Sequence, residues 1–202
     1  MKNGKFHIAI IDDDSINLTI LTKILSSIDV EIEVKCFQSG NIFIEDLKKN
    51  YIPDLCLIDV GLESGLSGYN ISRYIKKNPA SRDSAIIFLT SYADEQSVSS
   101  AFECGASDYI VKPFNKIELL MRVKTQLQLK SSLADLRHTN LKLSNLNKKY
   151  RRELNLARNV QNSMMLNTDI DNDYFETEYI YRPHFNLGGD YIDALKLRDT
   201  EF

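Results

Sequence analysis

Five short apolar runs recur along the first 111 residues, near 5–11, 31–37, 55–60, 85–90 and 108–111. Between them lie segments whose apolar residues repeat every three to four positions, near 15–28, 40–49, 68–77, 95–104 and from 115 onward. Runs such as Ile8-Ala9-Ile10-Ile11 and Ile86-Ile87-Phe88-Leu89 do not alternate with polar residues; they are apolar throughout. Strands read this way when both faces are covered, as in a parallel sheet flanked by helices. Strict alternation of strand and helix therefore predicts a doubly wound α/β fold with right-handed crossovers. Ser15 is a candidate cap for the first helix, and Gly105 marks the end of the fourth.

After Phe114 there is no Pro or Gly until Pro183 and no cluster of turn residues until Asn167-Thr168-Asp169, so a helix is predicted from about 115 to 165. Its first turns offer Ile117, Leu120, Val123 and Leu127 to the sheet. From Leu129 a heptad seam runs through Leu133, Leu136, Asn140, Leu143, Asn147, Tyr150, Leu154, Ala157, Gln161 and Met164, in unbroken steps of four and three. Five heptads of this kind predict a coiled coil. Asn140 and Asn147 share the heptad position of Leu133 and Leu154, where an asparagine can pair with its counterpart in a parallel, in-register homodimer. The resulting division is 1–125, 126–165 and 166–202.

Composition changes this picture little: 202 residues with 43% hydrophobic and 26% charged content describe an ordinary globular chain. No run approaches about 18 apolar residues and the amino terminus lacks a signal-peptide pattern, so a cytoplasmic protein with no membrane partner is expected. Charge is uneven. Residues 130–161 hold eight basic side chains against Asp135 and Glu153, a local +6 within an overall −3. Most of these basic residues fall off the seam on a solvated face, and no second recognition element accompanies them, so no nucleic-acid partner is expected. Cys36, Cys56 and Cys104 lack metal-ligand spacing and are expected to be buried and reduced. His7, His138 and His184 have no partners at ligand or triad spacing.

Chemistry enters at the ends of the apolar runs. One ends in Asp12-Asp13, another in Asp59, a third in Thr90 and a fourth in Val111-Lys112. A parallel sheet brings carboxyl ends together in one crevice, so three carboxylates and a lysine would share a pocket. Like charges this close call for a cation, and an all-oxygen donor set suits Mg²⁺, which usually completes its shell with water and a phosphate. Asp14 reads as a helix-start charge, not a ligand.

Ile10-Ile11-Asp12-Asp13-Asp14, Leu57-Ile58-Asp59, Leu89-Thr90-Ser91 and Asp108-Tyr109-Ile110-Val111-Lys112-Pro113-Phe114 resemble, in order and separation, the signatures of the receiver domain of two-component response regulators. The resemblance covers roughly the first 125 residues. It implies a flavodoxin-like sheet of five strands in the order 2-1-3-4-5. It also implies that Asp59 is the phosphoacceptor, serving a sensor histidine kinase or phosphotransfer protein. Asp13, Asp59 and the backbone carbonyl of Gly61 would hold Mg²⁺, with Asp12 reached through water. Lys112 would pair with a phosphoryl oxygen, Thr90 would donate its hydroxyl, and Tyr109 would swing inward as Thr90 moves. Lys112-Pro113 is a candidate cis peptide. One stretch departs from the family: Gly61-Leu62-Glu63-Ser64-Gly65-Leu66-Ser67-Gly68 lacks the usual proline and is one residue longer.

Beyond the helix, Tyr181-Arg182-Pro183 in a strand-like run and Gly188-Gly189-Asp190-Tyr191, preceded by Leu156-Ala157-Arg158-Asn159-Val160-Gln161, are similar to the opening of PPM-type serine/threonine phosphatases of sigma-factor switches. That resemblance implies Asp190 as a metal ligand, with Asp193 a weaker candidate, and Mn²⁺ or Mg²⁺ in a complete domain. The implied substrate is a phosphoprotein such as a phosphorylated anti-sigma antagonist. Diguanylate cyclases also carry a Gly-Gly-Asp turn, but theirs continues Glu-Phe, and too little sequence precedes it here. About 35 residues cannot bury a core, so the chain as given is not expected to hydrolyse phosphoesters. The rival expectation is a phosphorylation-controlled adaptor without phosphatase chemistry.

Overall fold

In the computed structural model of the chain, residues 4–63, 65–91 and 95–165 are described. They form β1 (Phe6–Ile11), α1 (Ser15–Leu25), β2 (Ile32–Phe37), α2 (Gly40–Lys48), β3 (Leu55–Asp59), α3 (Gly68–Lys77), β4 (Ala85–Thr90), α4 (Glu95–Glu103), β5 (Asp108–Val111) and α5 (Lys116–Met165). The strands pair in parallel in the order β2-β1-β3-β4-β5. The chain divides into two compact units, residues 1–135 and 136–202, and the sheet belongs to the first.

The unbroken apolar runs divide their side chains between the two faces. Ile8, Ile10, Leu55, Leu57, Ile87 and Leu89 pack with α1 and the start of α5, while Ala9, Ile11, Cys56, Ile58, Ile86 and Phe88 pack with α2, α3 and α4. Alternation by two is present in each strand, but it alternates between two cores instead of between core and water. Burying a side chain of Leu or Ile size stabilises by roughly 1.5–3 kcal/mol, so this double core is what fixes the register. In that register Asp59 lies opposite Leu89, and Thr90 opposite Val111.

Four details differ from the sequence reading. The first helix is capped by Asp14, whose carboxylate accepts from the Ile16 amide at 2.8 Å, and Ser15 is already its first residue. That helix stops at Leu25 instead of near 28, because Ser26 and Ser27 turn their hydroxyls back onto the carbonyls of Lys23 and Ile24. Cys36 is exposed, not buried: β2 is the edge strand of the sheet, and the thiol lies 3.4 Å from Thr22 Oγ1 of α1. Ile117 stands 70% exposed, and Leu119, Val123 and Leu127 are the residues that α5 buries against the sheet. Asn115 sets that phase by accepting from the amides of Ile117 and Glu118.

The carboxyl ends of the strands are closed tightly where the site forms. A Cβ on Gly68 would run into the carbonyl of Asp59, so the start of α3 can lie against the end of β3 only because that residue is glycine. Gly105, at φ +89°, ends α4 as expected and returns its amide to the Phe102 carbonyl. No helix of the described residues is long and apolar enough to cross a membrane.

Candidate functional site

Asp12, Asp13 and Asp59 converge where β1 and β3, neighbours in the sheet, send their following loops to opposite sides. Each contributes a carboxylate oxygen to a cluster whose atoms lie within 4.8 Å of one another. Asp12 is wholly buried and Asp59 nearly so. Lys112, arriving from the end of β5, places Nζ 3.1 Å from an Asp12 oxygen and 2.9 Å from an Asp59 oxygen. The Lys112-Pro113 bond is cis, as read from the sequence. Burial alone would push the Lys112 ammonium down, but hydrogen bonds and charge from Asp59 and Asp12 outweigh it and hold it above its ordinary value.

Further groups hold the carboxylates in place. Asp12 accepts from the Asp14 amide at 2.9 Å, and from Asn17 Nδ2 at 3.2 and 3.1 Å on its two oxygens. The Gly61 amide donates to Asp59 at 3.2 Å. The Glu63 amide donates to Asp13 at 2.8 Å, so the loop after β3, unusual in sequence, reaches back to the end of β1. Asn17 and Glu63 were not singled out in the sequence. Asn17 carried one faint signal, an amide on the first turn of α1 beyond the acidic triplet; a backbone amide such as that of Glu63 carries none.

Thr90 is buried at the end of β4, the next strand from Asp59. Tyr109 is half-buried, edge-on to Phe102 at 6.3 Å, with the Arg122 guanidinium 6.0 Å from its ring centre. Arg122 in turn pairs with Asp108 at 2.6 Å and Glu118 at 2.9 Å. Asp108 and Glu118 therefore fix the cation that lies beside the Tyr109 ring. Asp190 and Asp193, with the phosphatase-like motifs beyond residue 165, lie outside the described residues, whereas residues 156–161 belong to α5.

Three carboxylates with one ammonium leave a formal charge of −2 in a small pocket whose donor atoms are all oxygens. That donor set fits a hard divalent cation such as Mg²⁺. The pocket is thus an acidic site beside a fixed cation, at the carboxyl end of a doubly wound sheet, suited to receiving an anionic group.

Residues 8–124 match the response regulator receiver domain family, and the chain belongs to it. It is 31% identical over 122 residues to the response regulator protein TodT of Pseudomonas putida, covering 60% of this chain and 51% of that one. It is 34% identical over 125 residues to a probable cyclic di-GMP phosphodiesterase of Vibrio cholerae, covering 62% of this chain and 27% of that protein. Among solved structures, the beryllofluoride-activated DrrB receiver domain superposes with a TM-score of 0.55 at 36% identity, covering 61% of this chain and 98% of that one. The chain spans about half, or less, of the length of these curated relatives. Membership implies a histidine kinase as partner in a two-component system and Mg²⁺ at the acidic pocket.

Proposed function

We propose that Asp59 accepts a phosphoryl group from a phosphohistidine of a partner kinase and that the receiver passes this state to an output through α5. The observation that carries the reading is the placement of Lys112 Nζ between Asp12 and Asp59, beside the three-carboxylate cluster. An Asp59 carboxylate oxygen attacks phosphorus, a P–O bond forms as the P–N bond breaks, and the imidazole nitrogen leaves with the electron pair. Asp13, Asp59 and the Gly61 carbonyl would hold Mg²⁺, with Asp12 reached through water, and the ion would supply positive charge to the phosphoryl oxygens. Lys112 then exchanges a carboxylate partner for a phosphoryl oxygen. Thr90 donates its hydroxyl to the phosphoryl group, and Tyr109 turns inward to fill the space Thr90 leaves.

For the output, the phosphatase-like motifs of residues 156–193 support a PPM-type protein phosphatase regulated by the receiver, with Asp190 as a metal ligand. The exposed apolar row along α5 favours the second reading, an adaptor that binds partners through this helix. Intact-mass measurement after incubation with Mg²⁺ and acetyl phosphate tests the first step. Wild type should gain one phosphoryl group, and Asp59→Asn should gain none. Equal uptake by the variant would overturn the assignment.

A further inference from the structure

The second unit contains a helical segment whose apolar side chains stand in water. Along residues 136–164 of α5, Leu136, Leu143, Tyr150 and Met164 are each more than half exposed. They fall on one seam with Asn140, Asn147, Leu154, Ala157 and Gln161, with Leu136, Leu143, Tyr150, Ala157 and Met164 in one heptad position and the two asparagines, Leu154 and Gln161 in the other. An apolar stripe of this length needs a cover, and the side chains along it specify which cover fits.

Two features select a second copy of the same helix in one orientation. The first is the asparagine pair. In a parallel pair with no stagger each asparagine meets its own counterpart, and both amides find a partner. A shift of one heptad leaves two asparagines facing leucine, and an antiparallel arrangement sets each against the other seam position. Either alternative leaves buried amides without a hydrogen-bond partner, which disfavours it.

The second feature is the charge beside the seam. On one flank stand Arg137, Ser144, Arg151 and Arg158; on the other stand Thr139, Leu146, Glu153 and Val160. Antiparallel pairing would lay the arginine flank against itself. Parallel pairing sets each flank against the other, five residues on, so that Glu153 meets the arginine at 158 and Leu146 meets the aliphatic stem of the one at 151. Glu153 now lies 3.8 Å from Lys149 on its own helix, a loose contact between two exposed side chains that leaves it able to turn outward.

We propose that two copies of this chain pair along residues 136–164, parallel and in register, with Glu153 of each facing the partner's Arg158. This goes beyond the phosphoacceptor reading and does not depend on it. Sedimentation equilibrium of the whole chain should show a dimer, and a monomer at tens of micromolar would overturn the proposal. Orientation is read from spin labels at position 139 or 160 in a Cys36→Ser background, which leaves two buried thiols. Parallel pairing gives short inter-copy distances at both positions. Antiparallel pairing would put both near about 30 Å, at 1.5 Å per residue, and would overturn it. Glu153→Arg should raise the dissociation constant about fivefold or more, because two symmetry-related pairs change from attraction to repulsion. Adding Arg158→Glu should restore it to within about twofold. Both sites are exposed on a helix and both replacements are good helix formers, so folding is not at stake. Failure of the double variant to recover would overturn the assigned contact.

Discussion

Lys112 and the carboxylates around it show how much one strand end can carry. Asp12, Asp13, Asp59 and Lys112 were legible because each closes or follows an apolar run, and a parallel sheet sends all such ends to one edge. The groups that hold them were less so. Asn17 lies across the pocket only because α1 begins at Ser15, and the Glu63 amide reaches Asp13 through a loop that no periodicity describes. The thiols make the same point with a measurable consequence. Burial pushes the Cys56 thiol up to about 12 from its ordinary 9.0, against the opposing charge of Lys130 and Lys76. Between those two values the unfolded chain releases the proton and the folded chain keeps it, so folding stability falls as pH rises through this window. The slope from this one thiol is at most about 1.4 kcal/mol per pH unit. Urea unfolding at pH 8.5 and 10.5 should show a smaller loss in Cys56→Ala than in wild type, and an equal loss would contradict the assignment. Cys36, which shares the apolar strand pattern of Cys56, is exposed because it sits on an edge strand, and strand order is a property of the whole sheet.

At the scale of elements, the ten helices and strands of the described residues fall within a few residues of the periodic segments, and α5 is helical as far as Met165, the last of them. The phase of α5 was the harder problem. In Lys116-Ile117-Glu118-Leu119-Leu120-Met121, two apolar rows at helical spacing compete, and only docking on the sheet chooses between them. It chooses Leu119, Val123 and Leu127. Leu119→Ala should therefore cost about 2–5 kcal/mol of unfolding free energy, whereas Ile117→Ala should stay within about 0.5 kcal/mol. Denaturant midpoints of the two variants measure this directly, and similar losses in both would mean that the helix is rotated about its axis. A second tie holds α5 further along. Lys130 Nζ lies 3.0 Å from the Asp54 carboxylate, whose other oxygen accepts from the His7 amide at 2.8 Å. Asp54 is buried, so this pair fastens the helix at the end of the sheet away from the acidic pocket.

For the whole molecule the question is whether the receiver and the pairing segment exchange free energy, since α5 contributes residues to both units. Relatives that share the receiver are two to four times longer than the shared part. A receiver within a longer chain can act on the rest only by what its own surface or α5 can bias. If phosphorylation biases pairing along residues 136–164, linkage requires pairing to bias the receiver by the same factor. The seam is built for such a bias: Asn140, Asn147 and Gln161 weaken it, so a change of a few kcal/mol shifts the population of pairs. Beryllofluoride with Mg²⁺ should therefore change the dimer dissociation constant of the whole chain by about 5- to 150-fold, the span of typical coupling free energies of 1–3 kcal/mol. Asp59→Asn should pair as the unmodified chain does and lose the response. Glu153→Arg should shift beryllofluoride affinity in the direction that reciprocity demands. A dissociation constant that does not change on activation would make α5 a passive tether and leave the receiver to act on its output through its own surface.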